Sequence, residues 1–217
     1  MQSLSVNSSD SFLIFLDTET SGLNPETSHI LEIALVIINE LNGEIKGQFQ
    51  ASLRLPDADY DYWKDRVDLW TQACSASLKI NGWSWEKMEN QGIAPRTVAK
   101  RIVDLLKTSG IKPENSRFYC QNPSFDRGFF NRLIPDEEKK DLPYLWLDLA
   151  SADHAFQMQQ IKALGTPKKH LNFSKDAIAQ RHGLPPEAKP HGAMNGVLHL
   201  IDCYEKVVGF PFKKGSS

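Results

Sequence analysis

The stretch FLIFLDTETSGL, running from Phe12 to Leu23, decides the reading of this chain. A strand with one wet face alternates apolar and polar residues, whereas Phe12 to Leu16 are apolar without a break. Such a run marks a strand covered on both faces, at the centre of a sheet. It closes on Asp17 and Glu19. Residues two apart in a strand project to the same face, so these carboxylates converge at the edge of an apolar core. Their repulsion and desolvation call for a compensating charge, and a hard divalent cation with oxygen ligands, Mg2+ or Mn2+, supplies it. A lone Asp-x-Glu is also an ordinary acidic turn, so the reading depends on what lies further along.

Outward from this strand, Ser21, Gly22, Asn24 and Pro25 make a turn, and residues 30–39 form a second apolar, β-branched strand. Asn42-Gly43 is a tight-turn pair leading into a third strand over 44–55, which completes an antiparallel meander. Residues 57–90 are acidic and carry Trp63, Trp70, Trp83 and Trp85, in helix and loop. Pro95 opens a helix through Val98, Ile102, Val103 and Leu106 that Gly110 ends. A strand over 117–121 follows, then an Asn122-Pro123-Ser124 cap and a helix to Leu133, a strand over 144–149, and closing helices over 173–182 and 197–208. Strands alternating with helices after a meander predict an α/β fold with a mixed five-stranded sheet, antiparallel strands plus parallel ones, flanked by helices.

The 217 residues hold 25 Lys and Arg against 27 Asp and Glu, with 41% hydrophobic and 24% charged residues. That balance excludes a polycationic tail and a disordered chain, and fits a single domain over 1–217 with a core from about 12 to 208. No apolar run approaches the ~18 residues of a membrane span. The first ten residues lack the charged and apolar regions of a secretory signal, which predicts a cytoplasmic location. Cys74, Cys120 and Cys203 are odd in number and widely spaced, so reduced core thiols are expected rather than disulfides or a zinc site.

Two further blocks strengthen the first. Asn122 and Asp126 open a helix just after a strand, and Lys189-Pro-His191-Gly-Ala193-Met-Asn195-Gly196 leads into the last helix. Ligands of open α/β sheets gather beyond the carboxyl ends of strands, where the first two blocks sit. In this order the three blocks resemble the DnaQ-like, or DEDDh, family of 3′-to-5′ exonucleases in the ribonuclease H-like superfamily. Asp17, Glu19, Gly22 and Leu23 match its first motif, Asn122 and Asp126 its second, and His191 and Ala193 its third. The third motif should end in an acid where this chain has Gly196. Asn195 is one position early and Asp202 lies well along the helix, so neither is an obvious substitute.

The resemblance implies a metal-dependent 3′-to-5′ exonuclease using two Mg2+ or Mn2+ ions, with Asp17, Glu19 and Asp126 as metal ligands and His191 as general base. Thr20, Leu23 and Asn122 would contact substrate, Leu23 as a wedge against the last base. The implied partner is DNA or RNA with a free 3′ end, with a homodimer left open and no membrane. Gly196 at the fourth acidic position implies an impaired centre, through an inactivating substitution or natural weakening. The rival reading is a catalytically inactive nucleic-acid-binding protein of the same fold, and a third is a metal-dependent phosphodiesterase acting on nucleotides or very short oligomers. Trp83 and Trp85 are further candidates for base stacking, and Lys168, Lys169, His170 and Lys175 for backbone phosphates. An Asp at 196 is expected to fit without strain and to raise activity.

Overall fold

The computed structural model describes residues 10–54, 76–165, 171–210 and 212. Five strands, β1 (Phe12–Thr20), β2 (Ile30–Asn39), β3 (Ile45–Ser52), β4 (Ser116–Cys120) and β5 (Trp146–Asp148), form one sheet in the order β3-β2-β1-β4-β5. The β1-β2 and β2-β3 pairs are antiparallel, and the β1-β4 and β4-β5 pairs are parallel. This is the predicted mixed sheet, with the decisive strand at its centre.

The helices are α1 (Trp85–Gln91), α2 (Pro95–Thr108), α3 (Pro123–Leu133), α4 (Asp136–Lys139), α5 (Leu149–Leu164), α6 (Lys175–Arg181) and α7 (Ala193–Val208). Period-two alternation along the central strands divides the core. Phe12, Ile14 and Leu16, with Ile33, Leu35 and Ile37, pack on α2 and α3. Leu13 and Phe15, with Ala34, Val36 and Ile38, pack on α5, α6 and α7. Both faces of β1 are therefore dry, as its unbroken apolar run requires.

Several boundaries differ from expectation. The last strand is only three residues long, because Asp148 caps α5 and accepts a hydrogen bond from the Ser151 amide at 2.5 Å. The helix α5 was not expected, since its apolar residues are spread around it and give no stripe of helical period. The last helix begins at Ala193, four residues earlier than 197. Of the stretch 57–90, residues 76–81 and α1 are helical, while Trp63, Trp70 and Cys74 lie outside the described residues. Cys120 and Cys203 are buried free thiols. No helix among the described residues is long and apolar enough to cross a membrane.

Candidate active site

Because β1 and β4 are parallel, their carboxyl ends open on the same edge of the sheet, where a groove is lined by Asp17, Glu19, Leu23, Asn122, Asp126 and His191. The structure thus brings the three sequence blocks together. Two residues not assigned to the centre from sequence, Lys175 and Glu187, line it as well.

Each side chain has a local reason for its place. Asp17 and Glu19 project from β1 toward the α6–α7 side, continuing the parity of Leu13 and Phe15. Glu19 is paired in register with Glu32 of β2. Two facing acids would repel, but Glu32 accepts a hydrogen bond from Gln50 Nε2 at 2.6 Å and another from the Ala193 amide at 3.0 Å. It thereby satisfies the amino end of α7, next to His191. Asn122 caps α3 by accepting from the Ser124 amide at 3.1 Å and the Ser124 hydroxyl at 2.8 Å. Asp126, in the first turn of that helix, accepts from the Thr18 hydroxyl at 2.8 Å. Gly128 lets α3 lie against the turn after β1, since a Cβ there would come 2.9 Å from Pro25 Cγ.

Leu23 is 82% exposed at the groove edge, as a wedge must be in the free protein. Thr20 is buried, and its hydroxyl donates to the Gly22 carbonyl at 2.7 Å, bracing the turn rather than facing the groove. Trp83 is 5% exposed in a small core with Leu31, Leu78 and Met88, so it is a packing residue and not a stacking platform. Trp85 packs partly buried against the same cluster. Lys168, Lys169 and His170 lie outside the described residues.

Lys175 corrects the phosphate-contact expectation. Its ammonium is buried in the centre, 2.7 Å from Glu187 Oε2, 3.3 Å from Asp17 Oδ1 and 3.5 Å from the Gly196 carbonyl. Burial disfavours the ammonium, but Asp17 and Glu187 outweigh it and raise its pKa. Glu187 comes from the segment joining α6 to α7, and its amide donates to Asp176 Oδ1 at 3.0 Å.

The expectation for position 196 is also corrected. Gly196 is buried in α7, and a Cβ there would lie 2.0 Å from Asp17 Oδ2 and 3.1 Å from Lys175 Nζ. An acid at this position does not fit without moving Asp17. Neither Asn195 nor Asp202 lines the groove.

The centre carries more negative charge than its one lysine offsets. Burial, then repulsion from Asp17, pushes the Glu19 carboxyl up to about 8. Burial and Asp17 likewise push Asp126 up to about 7, against the Thr18 hydrogen bond. Asp17 is raised chiefly by burial, with Lys175 opposing. Among the described residues, one group is close enough to hold an ion: ligand atoms of Glu19, Glu187 and His191 lie within 4.8 Å of one another. Buried Glu187 Oε1 has no hydrogen-bond partner among the described residues. An orphaned carboxylate oxygen among acids held partly protonated is a donor set that fits a divalent cation. Only Glu19 of the sequence-predicted ligand trio belongs to the close group; Asp17 is engaged by Lys175 and Asp126 by Thr18.

No family model matches the chain. An oligoribonuclease from Vibrio parahaemolyticus is 26% identical over 178 residues, covering 79% of this chain and 90% of the relative. Among solved structures, Escherichia coli exonuclease I, in a zinc-bound complex with single-stranded DNA, superposes with a TM-score of 0.67 at 17% identity. The match takes in 93% of this chain but only 41% of that one, so the chain spans about two fifths of exonuclease I. Cell-death related nuclease 4 superposes with a TM-score of 0.65 at 14% identity, over 94% of this chain and 66% of that one. The sheet order and these superpositions give the chain the ribonuclease H-like fold of these exonucleases, and its sequence is similar to that of an oligoribonuclease.

Proposed function

We propose that this chain is a DEDDh-type, metal-dependent 3′-to-5′ exonuclease acting on short single-stranded RNA or DNA. The observation that carries the reading is the convergence of Asp17, Glu19, Asp126 and His191 on one groove at the carboxyl ends of two parallel strands, with exposed Leu23 on its edge. The relatives support the substrate class: the chain is similar in sequence to an oligoribonuclease and in fold to an exonuclease seen with single-stranded DNA.

Within this reading Leu23 packs against the last base and holds the strand end over the acidic wall. Stacking and wedging of that kind is worth ~1–3 kcal/mol per base whatever the sequence. Asp17, Glu19, Asp126 and Glu187 form the acidic wall, in which Glu19 and Glu187 would hold a divalent cation. When bound, such a cation offsets charge developing on the phosphate. His191 takes a proton from the attacking water, the general-base role that an imidazole nitrogen can fill. Glu32 fixes the helix end beside His191 and so orients it.

The test uses 5′-labelled RNA and DNA strands with Mn2+ or with a chelator. Stepwise shortening from a free 3′ hydroxyl is expected, slowed sharply by a 3′ phosphate and abolished by the chelator. Cleavage of a closed circle as fast as of a linear strand would indicate an endonuclease instead. The buried Lys175 and the absent acid at 196 favour one alternative, a binder that has lost catalysis. Tight binding of the strands with no shortening in Mn2+ identifies that case.

A further inference from the structure

Resting on the exonuclease reading, we propose that the centre takes a single divalent cation, held by the carboxylates of Glu19 and Glu187, while the Lys175 ammonium permanently fills the neighbouring cation position against Asp17. Three independent observations meet here. The first is Glu187, whose Oε2 is engaged by Lys175 at 2.7 Å while its buried Oε1 has no hydrogen-bond partner among the described residues. A buried acceptor without a donor is costly, and a carboxylate oxygen of this same residue lies in the close group with Glu19. Ligand oxygens at ~2.0–2.2 Å from a small cation stand up to about 4.4 Å apart across it, so the 4.8 Å group needs only slight contraction.

The second is the way Glu187 is held. Its amide is bonded to Asp176 and its carboxylate to Lys175, adjacent residues at the start of α6. A lysine in the first turn of a helix opposes the helix dipole, so it stays there through the acids it meets. The third is Gly196. A side chain at 196 would displace Asp17 and crowd Lys175, so the missing acid and the buried lysine form one arrangement. Where α7 offers no acid, Glu187 supplies a carboxylate, and it meets the same ammonium as Asp17. A hard cation prefers oxygen to imidazole, which leaves His191, beside the two carboxylates, free to accept a proton.

Mn2+ titration by calorimetry, with electron paramagnetic resonance on the same samples, tests the arrangement apart from nuclease activity. The native chain is expected to bind one Mn2+ with an uncoupled signal. Glu187→Gln should weaken that binding at least tenfold. Lys175→Met should admit a second Mn2+ and bring the exchange-coupled signal of a close ion pair. Two coupled ions in the native chain, native-like binding by Glu187→Gln, or a folded Lys175→Met chain that still takes one ion would each overturn the proposal. The native stoichiometry decides the matter even if both variants fail to fold. A chain that binds one Mn2+ yet shortens no strand keeps this inference and removes the exonuclease reading.

Discussion

The protein treats a buried carboxylate behind the sheet and the carboxylates of the groove in opposite ways. Asp153 of α5 is wholly buried and is met by Arg181 Nη2, by His182 Nε2 at 2.8 Å and by Gln157 Nε2 at 3.3 Å. Burial works against its charge, but the hydrogen bonds from His182, Arg181 and Gln157 outweigh it and hold the carboxyl below its ordinary range. In the groove, Asp17, Glu19, Asp126 and Glu187 share one ammonium, and Glu19 and Asp126 are pushed up to about 8 and about 7. The Asp153 cluster is complete within the chain and ties α5 to α6. In the proposed function the groove is completed by a cation from outside. A buried acid is thus read by what its neighbours leave unsatisfied, since structural acids are overpaired and functional ones underpaired.

Paired substitutions give this contrast its sharpest test. Asp17→Asn should reduce nuclease activity by on the order of 10³, about 4 kcal/mol of transition-state stabilisation, while melting changes little because repulsion is relieved together with the lysine pair. Asp153→Asn should do the reverse, lowering stability by about 3 kcal/mol with activity per folded molecule nearly intact. The figure sits at the low end for a buried pair because the Arg181 side chain keeps 23% of its surface in solvent. Denaturant unfolding and single-turnover cleavage on both variants check it, and matching losses in both would erase the distinction.

A second contrast sets Trp83 against Leu23. Trp83→Ala removes a side chain from the core and should cost about 3–5 kcal/mol. Leu23→Ala removes an exposed one and should leave stability within ~0.5 kcal/mol while slowing strand shortening about tenfold. A large fall in melting temperature for Leu23→Ala would make it a packing residue.

Position 196 sharpens the groove side of the comparison. Gly196→Asp should lower activity about tenfold, because the added Cβ pushes Asp17 off Lys175. Higher activity would mean that the groove adapts to a fourth acid.

The two sets should also differ in pH dependence. Asp153, with its lowered carboxyl pKa, adds stability that is full above the unfolded value of ~3.9 and is lost as pH falls through the folded one. Glu19 and Asp126 have raised values, so the folded chain binds more protons than the unfolded one between about 4 and 8. Without cation, stability should therefore decline by a few tenths of a kcal/mol or more per pH unit over that range, and Mn2+ should flatten the decline. Melting curves in chelator and in Mn2+ across pH 4–8 measure it, and identical slopes in the two would sink the expectation.

Much of this molecule was legible in its sequence. An unbroken apolar run ending in Asp17 and Glu19 requires a central strand with two acids at its mouth, because period-two geometry and the cost of burying charge act locally. Asn122 and Asp126 announced a capped helix for the same local reason, and Asn42-Gly43 a hairpin. What the sequence left undecided depends on partners distant along the chain. Lys175 reads as a surface base until α6 carries it 158 residues back to Asp17. Glu187 stands four residues before His191 in a non-helical segment, where that spacing carries no information about proximity. Gly196 reads as an empty acid position, yet only the approach of α7 to β1 reveals that Asp17 and Lys175 already take up that space. Local periodicity fixed the strands and the first acids, whereas the charge balance of the groove arises from three elements meeting at one strand end, and only the tertiary structure decided it.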